Sequence, residues 1–279
     1  MHEITKDGQD ARAVRGAGRR VFDARAAVVT ELSGGRTVLG TLRSDPPLTL
    51  RQTGPGTVHL VSTAAGPLGG DRLKLVVDVA PGTRLRIASV ASTLVLPGAG
   101  RSVMTVEARV GAGATLVYAP EPTVLAAGCD HRMIVRLALA EGASVSWREE
   151  IVFGRYGEAP GRCHARFDAT VEGVPLLRQE FVAGDPAVDG SPAVYGDARC
   201  VGTVLVAGPR FPYEAGECAL SEGCAVLPLA GPGTLISALA PDAPALRARL
   251  AWGEARLGAG RRLGAVPPTG GEPPAGPRS

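Results

Sequence analysis

The sequence lacks the features of several large protein classes. Its 279 residues include no asparagine, only two lysines, four histidines and 4% aromatic residues. The formal net charge of +3 is too small to indicate nucleic-acid binding. No segment approaches the roughly 18 consecutive apolar residues of a membrane helix, and the N-terminus lacks the apolar segment of a secretory signal. We therefore expect a cytoplasmic protein that binds neither nucleic acid nor a membrane.

The cysteines do not indicate a disulfide framework or a tight metal site. Their number is odd, they are scattered, and none forms a C-x-x-C pair, so buried free thiols are expected. The pairs Cys129/His131 and Cys163/His164 carry metal-capable side chains, but they lack the spacings of ordinary zinc sites. At most, a weak and transient nickel or zinc contact is expected there. The five are Cys129, Cys163, Cys200, Cys218 and Cys224.

The common catalytic motifs are also missing. The chain has no P-loop, no H-E-x-x-H and no G-x-S-x-G. The segment Gly111–Leu116 begins like a dinucleotide-binding loop, but its third glycine is absent and a strand pattern follows it where a helix is needed. We therefore predict no catalytic residue and no tightly bound cofactor.

Three segments repeat one pattern at near-equal spacing. Each has apolar residues, a small turn around a glycine and then an alternating strand: Asp78–Ile87, Arg109–Tyr118 and Ala138–Trp147. The turn glycines Gly82, Gly113 and Gly142 are 31 and 29 residues apart. Such a period is typical of stacked supersecondary units, here interpreted as β-hairpin-like layers. Stacks of this kind often bind partners along a long surface.

The fold class that follows is mainly β, a stack of strand layers resembling a β-helical or solenoid-like sandwich, with one or two helices toward the C-terminus. The clearest helix signal has Asp242 as its cap, Pro244 in its first turn and an apolar stripe that includes Leu246 and Leu250. Residues 183–199 are rich in turn signals and are expected to form a loop. We predict a disordered arm at 1–20, one β domain at 21–258 and a disordered Pro/Gly-rich tail at 259–279.

Three carboxylates are candidate functional groups. Period-two alternation places Glu149 on the same strand face as Trp147 and Ile151, so it should point inward, where a carboxylate needs a partner or water. Asp71 follows three glycines and could instead close a tight turn by accepting backbone N–H groups. Glu121 lies between two prolines, in a kink between layers, and is expected at the rim.

The order of several motifs resembles the urease accessory protein UreD (UreH) family. The segment Gly66–Leu73, the turn Pro81–Thr83 and the segment Ala88–Thr93 carry the resemblance, which continues through Leu116–Thr123 and Gly173–Leu177. The resemblance implies a β-rich scaffold without catalysis of its own. It also implies binding of the urease apoprotein on one side and UreF on the other, with the GTPase UreG joining through UreF in a dimeric hetero-complex.

The same resemblance implies an internal path for nickel toward the urease active site. Glu149, Asp71 and Glu121 are then candidates for transient nickel contacts, with Glu149 and Asp71 ranked first. A chain built around partner surfaces would be poorly soluble alone and better behaved with UreF. Two alternatives remain open: a β-solenoid enzyme using His131 and Cys129, and a surface-binding β protein, which the low aromatic content disfavours.

Overall fold

The computed structural model describes residues 21–211 and 218–257, so the predicted arm at 1–20 and the predicted tail at 259–279 lie outside the described residues. The described part contains two helices, α1 (Pro186–Asp189) and α2 (Ala243–Arg256), and none of its helices is long and apolar enough to cross a membrane. In chain order, its strands are β1 (Asp23–Ser33), β2 (Arg36–Arg43), β3 (Leu48–Gly54), β4 (Thr57–Ser62), β5 (Arg72–Val79), β6 (Arg84–Ser89), β7 (Thr93–Val95), β8 (Ser102–Val110), β9 (Thr115–Ala119), β10 (Thr123–Leu125), β11 (Asp130–Leu139), β12 (Ser144–Val152), β13 (Arg162–Val171), β14 (Val174–Ala183), β15 (Cys200–Ala207), β16 (Ala219–Ser221), β17 (Cys224–Pro228) and β18 (Gly233–Ala240).

The strands form two sheets with parallel centres. The first sheet has seven strands in the order β14-β13-β11-β8-β5-β1-β2, and the second has eleven, in the main order β16-β17-β18-β15-β12-β9-β6-β4-β3 with β7 and β10 beside this path. The run from β1 to β13 in the first sheet and the run from β4 to β12 in the second are parallel. Antiparallel strands flank both runs. The chain therefore winds between the sheets in successive coils, which confirms the predicted solenoid-like sandwich.

The repeated glycine turns connect the two sheets. Gly82, Gly113 and Gly142 have φ values of 69°, 62° and 64°, which glycine adopts without a steric penalty. The Gly82 N–H donates to the Ala112 carbonyl at 2.9 Å, and the Gly113 N–H donates to the Glu141 carbonyl at 3.1 Å, so each turn bonds to the next. The prediction of hairpin-like layers was wrong in one respect. Strands flanking a turn lie in different sheets and pair with the equivalent strands of neighbouring coils.

The main core lies between the sheets. The inward residues of both parallel runs fill it, and Tyr118 stacks on Trp147 with ring centroids 4.0 Å apart. A second core lies under α2 on the outer face of the second sheet, where Leu246 and Leu250 pack against Ile236. Asp242 caps this helix by accepting the Ala245 N–H at 2.8 Å, as predicted. The segment expected to be a loop, 183–199, consists mostly of turns around the short α1.

Candidate functional site

A gap interrupts the second sheet beside β12. Strand β9 pairs with β12 as far as Tyr118 opposite Trp147, and β10 first pairs with it at Thr123 opposite Ile151. The segment between them contains Pro120 and Pro122, and proline has no N–H to donate to a neighbouring strand. Strands β6 and β7 are interrupted at the equivalent level. We call this gap, bounded by residues 90–92, 120–122 and 148–150, the slot.

The slot opens onto an internal cavity of about 160 Å³, the central cavity. Residues from all three borders of the slot line it: Val90, Ala91, Ser92, Pro120, Glu121, Glu149 and Glu150. A side cavity of about 40 Å³ lies next to it and extends toward β13, β14 and β15. Met133 and Glu149 border both cavities. A water needs only about 10–15 Å³ of such space, so the central cavity has room for several.

Glu149 lies where the two cavities meet. Its strand neighbours on the same face, Val145 and Trp147, belong to the core between the sheets, so the predicted inward direction is confirmed. Glu149 keeps partial exposure because it borders the cavities. Burial raises the pKa of Glu149 to about 7. The Trp147 indole N–H is buried and has no hydrogen-bond partner among the described residues. The protein thus holds an ionisable carboxylate in its interior beside space for water.

Glu150 occupies the opposite face of the same strand. Its side chain is 2% exposed and lies under α2, within 3.5 Å of the Arg148 guanidinium and 3.6 Å of the Arg247 guanidinium. Both distances are too long for good hydrogen bonds, and within the described residues Glu150 Oε2 has no hydrogen-bond partner. Burial raises the pKa of Glu150, while the charges of Arg148 and Arg247 lower it. Arg148 in turn donates to Glu254 on α2 at 2.5 Å.

Glu121 lies at the rim of the slot, as expected. Its N–H donates to the Ser89 hydroxyl at 2.8 Å, which fixes the kink between the two prolines. Its carboxylate accepts a hydrogen bond from Arg247 Nη2 at 2.5 Å, and its side chain is 42% exposed. Glu121 and Glu149 therefore belong to one site, on the outer and inner sides of the same gap.

Asp71 has a different setting. It is fully buried and does not line either cavity. Its carboxylate accepts the Phe22 N–H at 3.0 Å and the Leu68 N–H at 2.9 Å, which ties the N-terminal strand to the glycine-rich turn before β5. These contacts support the turn-closing interpretation of Asp71; its contact with nickel stays a prediction.

The alternative enzyme site is not assembled in the described part of the chain. His131 Nδ1 lies 2.8 Å from the Ser102 hydroxyl, whereas the Cys129 thiol faces the Arg162 carbonyl at 4.0 Å. Burial lowers the pKa of His131 to about 4 and raises the pKa of Cys129 to about 11, so the imidazole is neutral and the thiol protonated near pH 7. A protonated thiol is a poor nucleophile. Among the described residues, no group of three His, Cys, Asp or Glu side chains could hold a metal ion tightly.

Two arginines and one glutamate of the slot were not identified from the sequence. Strand alternation assigns Arg148 and Glu150 to an outer face, which is ordinarily solvated. Only the packing of α2 buries Glu150 and partly covers Arg148. Arg247 lies on the exposed side of its helix pattern, and nothing in its neighbourhood along the chain points to Glu121, which is 126 residues away.

The family model and the similar proteins all indicate one family. A family model described as UreD urease accessory protein matches residues 23–268. A protein named urease accessory protein UreD from Frankia casuarinae is 43% identical, with 85% of this chain and 90% of the relative aligned. The protein of the same name from Parafrankia sp. is 43% identical, with 83% of this chain and 88% of the relative aligned. The one from Streptomyces coelicolor is 40% identical, with 76% of this chain and 87% of the relative aligned. The chain belongs to the UreD family of urease accessory proteins.

Proposed function

We propose that this chain is a non-catalytic cytoplasmic scaffold of urease maturation. It binds the urease apoprotein and a UreF–UreG complex, within a dimeric hetero-complex, and helps to deliver nickel to the urease active site. Family membership is the observation that carries the urease role. The two sheets give the chain a long outer surface, which suits a protein that holds several partners at once.

The interior chemistry supports transient passage of nickel. A divalent ion that must be released again needs few, weak ligands and water, whereas clustered imidazoles and thiolates would hold it tightly. The central cavity has room for water, and Glu149 supplies a carboxylate where it meets the side cavity. In this proposal nickel crosses the second sheet at the slot and passes Glu149 between the sheets. Glu121 contacts it at the rim.

The scaffold role is tested by co-expressing the chain with UreF, UreG and apo-urease from the same source. The chain is recovered by affinity tag, and the nickel on the recovered urease is counted by elemental analysis. We expect a stable complex that raises nickel per urease active site above the level without the chain. Urease that acquires the same nickel without the chain, or a chain that captures none of the three partners, would contradict the proposal.

The path role is tested with Glu149→Gln, which removes the charge and keeps the shape. We expect nickel loading to fall by about ten-fold or more, while the complex still assembles. Glu107→Gln is the matched control, because Glu107 lies on an outer face, where it pairs with Lys74 at 2.7 Å and Arg136 at 3.1 Å. Equal loading by both variants would remove Glu149 from the path and leave the scaffold role intact.

A further inference from the structure

Arg247 bridges two carboxylates at the outer side of the slot. One nitrogen of its guanidinium, Nη2, contacts Glu121 Oε2 at 2.5 Å, and another, Nε, lies 3.6 Å from Glu150 Oε2. Both glutamates also line the central cavity. Two carboxylate oxygens from different strand borders thus converge on one planar cation, directly above the gap in the sheet.

Glu150 is unusual among these groups because it is buried with one oxygen unsatisfied. The residue is 5% exposed, and within the described part of the chain its Oε2 accepts no hydrogen bond. A buried carboxylate oxygen without a hydrogen bond is costly, and the ion pair with Arg247 at 3.6 Å compensates only in part. Glu150 Oε2 therefore remains available to a cation that can approach it more closely than the Arg247 guanidinium does.

We propose that Glu121 and Glu150 form an entry site for a divalent cation at the slot, and that Arg247 occupies this site as a tethered cation until the metal displaces it. The proposal rests on the proposed function, since it names the point where nickel enters the chain. Two of its three residues, Glu150 and Arg247, were not identified from the sequence.

Charge balance favours a divalent cation as the displacing ligand. With Arg247 removed, Glu121 and Glu150 together carry two negative charges, and Arg148 is already bonded to Glu254. A divalent ion supplies both compensating charges and accepts carboxylate and water oxygens as ligands. A monovalent ion would replace the guanidinium charge without any gain, so it should not compete well with a cation that is covalently attached.

Arg247 can leave the site without disrupting its helix. Its side chain is 50% exposed, whereas α2 is held to the second sheet by the buried Leu246 and Leu250. Rotation about the side-chain bonds therefore moves the guanidinium into solvent while the backbone stays in place. The Arg247–Glu121 pair is exposed to solvent, and exposed ion pairs contribute little to stability, so a bound divalent ion can replace this pair.

The test measures Mn²⁺ binding by electron paramagnetic resonance on the full chain fused to a solubilising domain, with that domain alone as the blank. Mn²⁺ is a paramagnetic probe that favours oxygen ligands. We expect Arg247→Gln to tighten Mn²⁺ binding about five-fold or more, which corresponds to the loss of about 1 kcal/mol of competition. Added Ni²⁺ should displace the bound Mn²⁺. Arg256→Gln, on the same helix, is the charge-matched control and should leave the affinity unchanged.

Glu121→Gln and Glu150→Gln, each combined with Arg247→Gln, should abolish the gain. Glu121 is exposed, so its variant stays informative even where loss of the buried Glu150 charge weakens folding. Unchanged affinity in Arg247→Gln, or a gain that survives Glu121→Gln, would overturn the entry site. Failure of the wild-type chain to raise nickel on urease would instead overturn the proposed function, which keeps the two outcomes separate.

Discussion

Glu149 places a carboxylate between two sheets, which costs folding free energy whenever the group is ionised. Its pKa is about 7 in the folded chain, against 4.5 for an unperturbed glutamate. Between these pH values the folded state keeps a proton that the unfolded state has lost. The free energy of unfolding therefore falls as the pH rises from about 4.5 to about 7.

Glu149→Gln should stabilise the nickel-free protein at pH 8 by on the order of 1–3 kcal/mol, with a much smaller gain at pH 5. Thermal or urea unfolding at the two pH values measures the difference. Glu107→Gln should instead destabilise the protein at pH 8. The hydrogen bond from Lys74 lowers the pKa of Glu107, so its ionised form stabilises the fold above that pKa. Equal gains at both pH values would show that Glu149 is not destabilising through its charge.

Asp71→Asn separates the structural role of Asp71 from a role in the nickel path. The amide leaves one of the Phe22 and Leu68 N–H groups without an acceptor, so unfolding should become easier by about 1–3 kcal/mol. Nickel loading well below the melting temperature should stay close to that of the wild type. Asp78→Asn, on the partly exposed side of β5, is the control. A stable Asp71→Asn protein that fails to load nickel would place Asp71 in the path.

The sequence predicts individual side chains only where local periodicity decides their direction. Glu149 was identified because alternation with Trp147 forces it inward. Its neighbour Glu150 has the opposite direction by the same rule, and its burial depends on a helix almost a hundred residues later in the chain. The pairing of Arg247 with both glutamates arises from this packing, which no local pattern contains.

At the scale of the elements, α2 shows how packing overrides propensity. Gly253 in a helix interior is ordinarily less favourable than alanine by about 1 kcal/mol. Here an added Cβ would lie 2.5 Å from Cγ2 of Ile236 in the strand beneath. The glycine therefore allows the helix to approach the sheet closely, a reason that its position in the helical pattern does not reveal.

Gly253→Ala should destabilise the protein by about 1–3 kcal/mol, because overpacking outweighs the gain in helix propensity. Ala251→Gly, at an exposed position of the same helix, provides the control and should cost about 1 kcal/mol by propensity alone. Chemical denaturation measures both variants. An increase in stability for Gly253→Ala would mean that α2 has room to move away from Ile236.

The turns were predicted more accurately than the strand pairing. The three spaced glycines specify tight turns locally, since each occupies a backbone region unfavourable for other residues. Which strands hydrogen-bond across coils depends on contacts about thirty residues apart, and hairpins and stacked coils share the same local pattern. The slot was not predicted from the sequence either, although Pro120 and Pro122 indicate a segment that cannot pair as a strand.

At the scale of the whole molecule, the thiols report on folding. Cys129, Cys163, Cys200 and Cys224 are buried, and Cys218 is exposed. Burial raises the pKa of Cys129 and of Cys200 to about 11, which keeps both protonated at neutral pH. The thiolate forms of Cys129 and Cys200 are therefore withheld from a passing metal ion in the folded chain.

The native protein should show one thiol that reacts rapidly with a colorimetric disulfide reagent at pH 8, and five after denaturation. Cys218→Ser should remove the rapid reaction and leave the melting temperature unchanged. Cys224→Ser tests burial, because it should leave the rapid reaction in place. More than one rapid thiol in the wild type would show that a buried region opens readily, either the core under α2 with Cys200 and Cys224 or the cluster that contains Cys129 and Cys163.

The hydrogen bonds between successive glycine turns make the coil the unit by which this fold can lengthen during evolution. Each coil meets its neighbours through the same turn and the same parallel pairing, so a duplicated coil would add one layer of about 4.8 Å and leave the antiparallel flanks intact. Growth can therefore occur in whole-coil steps. A shift of a single residue within β12 would instead exchange the faces of Glu149 and Glu150, so lineages should tolerate an added coil better than one inserted residue.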